Sequence, residues 1–451
     1  MRKIGRFSVL YSALLAVSIA GCSGGGADTL QSESGMKPEP AGKSSSGTGY
    51  NNEPVKLGIY DYQAGINERE LETHILKPIQ AKYPNITFEL LKAKSAEELT
   101  GSGVVPDLVV TSNVFVKQML ELELGEDLQP MAKSANLNLE RVEPEVMNAI
   151  KAFGSKGELY ALPFSMNYGV MLYNKEIFDK FGVPYPKDEM TWNQTLELAK
   201  QVTRTENGTN YVGVSMGAPQ PLVRQYSLPV VDDKQEKSII AASEGYKKIF
   251  TLLRGQYDMS GYLGPNKEFS YGINEFLKTQ TLAMHPNWIA GVTDSLVQLE
   301  KEGKAFHWDI VSFPTYDDRP KLGRQVDFHL FMVPPTAKHK SAAYEVIQLL
   351  LQDEAQLAMN KAGRMTVLKD PALKKDFAKD LKVYEGKNLA GIFKVTPAPA
   401  PVSTDYDNKI YAILQESNKE MAQNGMDVNT ALRLADEKAN KLILEMKQQR
   451  K

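Results

Sequence analysis

The chain has 451 residues, with 53 basic side chains against 55 acidic ones and a formal charge of −2. Acid and base are interspersed, which excludes the basic field that nucleic-acid binding requires, and a 42% hydrophobic content is that of a packed globular protein. The only cysteine is Cys22, so the chain can form no internal disulfide and no thiolate metal cluster.

Arg2, Lys3 and Arg6 precede an almost unbroken apolar run, Phe7 to Ala20. That charge, apolar core and small-residue exit predict a secretory signal over 1–21, too short for a comfortable membrane span. Ile19-Ala20-Gly21-Cys22 resembles the lipobox of bacterial lipoproteins. The resemblance implies that Cys22 is acylated and that the protein works at the outer face of the cell membrane, held by lipid. Residues 22–53 are then a tether. Ser23-Gly24-Gly25-Gly26 and Lys43-Ser44-Ser45-Ser46 offer too little apolar surface to offset the entropy of ordering. About 400 residues remain from Pro54, enough for two lobes.

Val55 to Tyr60 predicts a first strand, and Asn67 to Tyr83 a helix. Ile86 to Leu91 predicts a second strand, Asp107 to Val110 a third, and Thr111 to Leu122 a further helix. Strands alternating with helices point to a mostly parallel sheet covered on both faces. Glu176 to Phe181 is helical and stopped by Gly182, and Thr191-x-x-Gln194 forms a capping box for Trp192 to Thr203. Helices are expected near Glu244 to Leu253 and Ser341 to Met359. Val428, Leu432, Ala435, Ala439, Leu442 and Met446 make one stripe on a last helix started by Asp427.

Glu158 to Lys175 (ELYALPFSMNYGVMLYNK) carries a Tyr-x-Leu-Pro start and Leu-Tyr-Asn-Lys. Phe-x-x-x-Gly-Val-Pro-x-Pro and Thr-Trp follow it. Together with Val105 to Val109, Lys278 to Trp288 and Ser341 to Gln356, this order is similar to the extracellular solute-binding proteins of ABC importers, the sugar-binding family typified by maltose-binding protein. The resemblance implies a two-lobed α/β periplasmic-binding-protein fold (type II) with discontinuous lobes joined by hinge crossovers. Lobe one is expected at 54–165 and 330–393, and lobe two at 170–326 and 398–451. Pro163 to Gly169 and Pro397 to Pro401 fall at two crossings, where prolines that cannot join a sheet would limit the swing of the lobes.

A sugar offers hydroxyls at its edge and weakly apolar faces, so its receptor needs polar forks and aromatic plates. The resemblance makes Trp288 the expected plate. It puts Asn167 and Tyr168 at the first crossing, where the family's maltose receptor presents an acid; neutral Asn167 departs from that specificity. Thr111, Ser112 and Asn113 follow the third strand, and Asp61, Tyr62 and Gln63 follow the first. Asp327 and His329 flank the next crossing, and Tyr406 follows the proline run. With no arginine cluster evident, these point to a neutral mono- or oligosaccharide. The histidines lack metal spacing, no paired carboxylates or nucleophile elbow stand out, and neither cofactor nor catalysis is expected. The expected partners are a saccharide, ABC permease subunits and, through Cys22, the membrane. A sensor or interaction lipoprotein of the same fold, or a secreted carbohydrate-active enzyme, stays open as an alternative.

Overall fold

The structure is a computed structural model that describes residues 49–449, residues 65, 67 and 402 excepted. The expected signal over 1–21, Cys22 and most of the expected tether lie outside the described residues. Tyr50, expected within the tether, packs edge-on against Tyr83, with centroids 5.9 Å apart. No helix among the described residues is long and apolar enough to cross a membrane.

Among the described residues, twelve strands follow in chain order. They are β1 (Val55–Tyr62), β2 (Ile86–Leu91), β3 (Leu108–Ser112), β4 (Leu162–Asn167), β5 (Gly169–Asn174) and β6 (Arg204–Glu206), then β7 (Thr209–Val214), β8 (Leu282–Trp288), β9 (Trp308–Ser312), β10 (Leu322–Gln325), β11 (Asp327–Met332) and β12 (Thr396–Ala398). One five-stranded sheet has the order β2-β1-β3-β11-β4 and the other β6-β7-β8-β5-β9, while β10 and β12 form a separate ribbon. β3, β4, β5 and β11 are buried along their whole length, as strands covered on both faces must be.

The expectation of mostly parallel sheets is corrected. Only β1–β2, β1–β3 and β7–β8 pair in parallel within the large sheets. β11 runs antiparallel to both neighbours, and so does β5. These are the strands that arrive from, or leave for, the other sheet, so no crossover helix turns them to the common direction.

The chain passes between sheets at Tyr168, between β4 and β5, and at Val326, between β10 and β11. Prolines at the crossings do join strands, contrary to expectation. Pro163 lies within β4, an edge strand, where the register with β11 shifts between His329 and Leu330. Pro397 lies within β12 in an irregular two-stranded pairing. Edges and bulges are where a residue without an N–H can sit in a sheet. Residues 382–393, placed with lobe one from sequence, pack against β9 of the second sheet. Lys387 Nζ donates to the Trp308 carbonyl (2.8 Å) and the Asn388 N–H to Asp309 Oδ1 (2.9 Å).

Local signals hold where side-chain chemistry sets the end of an element. Thr191 Oγ1 accepts the Gln194 N–H (3.3 Å) while Gln194 Oε1 accepts the Thr191 N–H (2.9 Å), closing the capping box. Gly182 ends its helix at φ 64°, and Asp427 Oδ1 accepts the Thr430 N–H (3.0 Å) at the start of the last helix. The helix expected as one piece over 341–359 is two, Lys340–Leu350 and Asp353–Lys361. They are separated where Gln352 turns extended and Gln356 Nε2 returns to the Leu350 carbonyl (2.7 Å).

Candidate ligand-binding cavity

The C-terminal ends of β3, β4 and β8, with the start of β11, meet around a cavity of about 390 Å³ lined from both sheets. On the first sheet's side the pairing register sets the polar groups. Asp327 lies opposite Asn167, and His329 lies between Ser112 and Ser165. Asp327 is buried, and its carboxylate accepts from Ser112 Oγ and from Asn167 Nδ2, each at 3.2 Å. Burial pushes its pKa above the usual carboxylate range, opposed by those hydrogen bonds and by the Arg324 and Arg224 cations. Asn167 Oδ1 accepts the Ala290 N–H (3.2 Å), so this one amide ties β11 to the start of the helix Ala290–Lys301.

His329 is buried with Arg364 Nη1 2.9 Å from its Nδ1 and Ser165 Oγ at 3.3 Å. Burial, with the Arg364 cation, holds its pKa well below the usual value, so the ring is neutral and Nδ1 accepts. Arg364 in turn makes a forked ion pair with Glu70, 3.1 Å from Nε to Oε1 and 2.9 Å from Nη2 to Oε2. This wall is a closed network in which each named donor or acceptor holds another.

The second wall differs. Trp288 ends β8, half-buried, and the guanidinium of Arg324 stands 4.0 Å from its ring centroid. Arg324 is surrounded by protein but keeps part of its surface open to the cavity; loss of solvent lowers its pKa to about 10, which Asp327 opposes. Gly169 makes room for it: an added Cβ would meet Arg324 Cβ at 2.4 Å and Phe313 Cδ2 at 2.9 Å. Arg224, buried on the helix Pro219–Gln225, donates from Nε to the Gln325 side chain.

Of the residues picked from sequence, Trp288, Asn167, Ser112, Gln63, Asp327 and His329 line the cavity. Thr111, Asn113, Asp61, Tyr62, Tyr168 and Tyr406 stand behind or beside it, each with another task. Thr111 Oγ1 donates to the Tyr62 carbonyl (2.7 Å), and Asn113 Oδ1 accepts the Phe328 N–H (3.2 Å), which pins β11. Asp61 Oδ1 accepts the Ala64 N–H (3.2 Å), and Tyr62 packs edge-on against Phe115, itself in the cavity wall (5.2 Å). Tyr168 packs against Phe393 (5.6 Å), and Tyr406 is buried ahead of the helix Asp407–Asn424.

Sequence reasoning missed the three arginines. Arg324 and Gln325 sit three and two positions before the recognised Asp327, and the same crossing logic could have included them. Arg224 and Arg364 carry no local signal, since only the fold brings positions 224, 324 and 364 together.

Two mixed sheets joined by crossing strands, with a polar cavity at their meeting ends, define a two-lobed α/β binding protein. The chain belongs to the bacterial extracellular solute-binding protein family, whose profile matches residues 75–384. A mannitol-binding protein of Pseudomonas aeruginosa is 33% identical over 82 residues, a stretch covering 18% of this chain and 18% of that relative. The fold is shared with an ABC substrate-binding protein from Listeria monocytogenes in complex with cycloalternan (TM-score 0.67, 17% identity, 86% of this chain and 98% of that one). It is shared also with the sugar-binding protein MalE of Xanthomonas citri (0.66, 14%, 87% and 98%). A third such structure is a solute-binding protein from Thermotoga lettingae bound with α-D-tagatose (0.65, 18%, 86% and 99%).

Proposed function

We infer that this protein captures a carbohydrate in the cavity between its sheets and hands it, unaltered, to an ABC permease from a lipid anchor at Cys22. The observation that carries this reading is the make-up of the cavity. Polar forks (Asp327, Asn167, Arg324) and an aromatic plate (Trp288) converge from both sheets on one space of about 390 Å³, within the ~300–1,000 Å³ of small-molecule sites. Micromolar affinity needs about −8 kcal/mol, and single hydrogen bonds contribute roughly 0.5–1.5 kcal/mol, so several contacts from both walls must act together. Contacts made with both lobes at once favour the form in which the lobes are closed on the guest, and that population shift is what a permease can recognise. The carbohydrates named for the structural neighbours support the ligand class, and membership in an extracellular family supports the location.

A thermal-shift screen against saccharides, followed by product analysis, tests the proposal. A true ligand at 100 times its dissociation constant stabilises by about 2.7 kcal/mol and is recovered intact. No stabilisation by any saccharide, or turnover of one, contradicts it.

A further inference from the structure

The neutral-sugar expectation rested on neutral Asn167 and on the lack of an arginine cluster, and the second premise fails: Arg224, Arg324 and Arg364 all line the cavity. The acids lining it are Glu70, Asp294 and Asp327, so the formal charges balance and what matters is which of them pair. Glu70 is taken by Arg364. Among the described residues, neither Arg324 nor Arg224 has a carboxylate within 4.0 Å. Asp327 and, for Arg224, Asp407 feel these cations only from farther away. A guanidinium withdrawn from water without a partner is costly, and the lowered proton affinity of Arg324 has that origin.

The geometry says how such a cation would be used. The Arg324 guanidinium stands with its carbon 4.0 Å from the Trp288 ring centroid, within cation–π range. Its N–H donors lie in the plane, around the edge, and remain able to fork two oxygens of one anion. The ring holds the guanidinium in place in advance, and Gly169 supplies the space in which its side chain runs. Asp327, also lining the cavity, is an acceptor suited to hydroxyls.

We propose that the guest is a saccharide carrying an oxyanion, a uronate or a sugar phosphate, with its anionic group on Arg324 and Arg224 and its hydroxyls toward Asp327. This rests on the carbohydrate-receptor reading above and sharpens its ligand class. Titration calorimetry on the full chain tests it with D-galacturonate, digalacturonate, D-glucuronate and glucose 6-phosphate, set against D-galactose, D-glucose and maltose. At least one anionic probe is expected to bind about tenfold or more tighter than its neutral counterpart, with an affinity that falls as salt rises. Comparing the uronate and phosphate arms identifies the source of the oxyanion.

Arg324→Gln removes the preference, and Arg324→Lys, which keeps the charge but not the fork, restores part of it. Arg141→Gln, at an exposed ion pair with Asp353, leaves it unchanged. The comparison of anionic with neutral probes needs no variant and so stands even if a variant fails to fold. Neutral sugars binding as tightly as the anionic ones overturns this inference and leaves the receptor reading intact. Failure of every saccharide to bind overturns both.

Discussion

The two walls of the cavity are built from similar residue types and put them to different use. On the first sheet's side Ser112, Asn167, Asp327, Ser165, His329, Arg364 and Glu70 hold one another at 2.9–3.3 Å. On the second side the Arg324 guanidinium sits 4.0 Å from the Trp288 ring centroid, and both residues line the cavity. The first wall therefore resists rearrangement and presents fixed acceptors, as a preorganised site needs. The second wall holds the groups whose partners are incomplete. Stability is expected to depend on the first wall, and affinity on the second.

The sharpest way to break this contrast is Asn167→Leu. It removes a donor from the buried Asp327 carboxylate and the acceptor for the Ala290 N–H. A loss of about 2–4 kcal/mol of unfolding free energy is expected in denaturant titrations. A variant as stable as the parent would mean that the first wall's network is dispensable.

A second effect compares one buried histidine from each sheet. His285 on β8 faces Asn287 and the Phe276 ring, with Arg324 and Glu275 nearby; burial first, then Arg324, lowers its pKa to about 4. His329 on β11 is likewise depressed, by burial and Arg364. Each ring is neutral when folded and takes up its proton more readily when unfolded. The stability it contributes is present above about pH 6.5 and is lost as pH falls toward the folded pKa, at about 1.4 kcal/mol per unit for a single group. Melting temperatures should drop between pH 6.5 and 4.5, and His285→Gln should flatten the slope.

Trp288→Ala tests the second wall and should weaken binding of any accepted saccharide at least about tenfold, near 1.4 kcal/mol, by calorimetry. An unchanged dissociation constant would remove the indole from the site. The smallest effect lies away from both walls: Thr191→Ala loses one half of a capping box and should cost about 1 kcal/mol.

What was legible in the sequence follows the range of the interaction. Capping pairs such as Thr191 with Gln194, the Gly182 stop and the buried strand β3 are local events, and the residues alone announce them. Asp107, ahead of β3, likewise serves the backbone, accepting the Gly58 and His339 N–H groups (2.9 and 3.0 Å). Strand direction was not local. β5 and β11 are antiparallel because of where the chain has come from, which no window of residues records. In the site, Asn167 and Asp327 were found because they flank crossings, and Trp288 because its surrounding motif resembles the family's sugar-stacking turn. Arg224 was not, because a helix a hundred positions from Gln325 in sequence delivers it there.

The central claim is that a saccharide lies intact between the two walls, and a crystal structure with the tightest-binding sugar of the calorimetric panel tests it most directly. The account predicts an unmodified sugar bridging Asp327 and the Trp288–Arg324 pair. A sugar bound elsewhere on the surface, or a cleaved one, contradicts it.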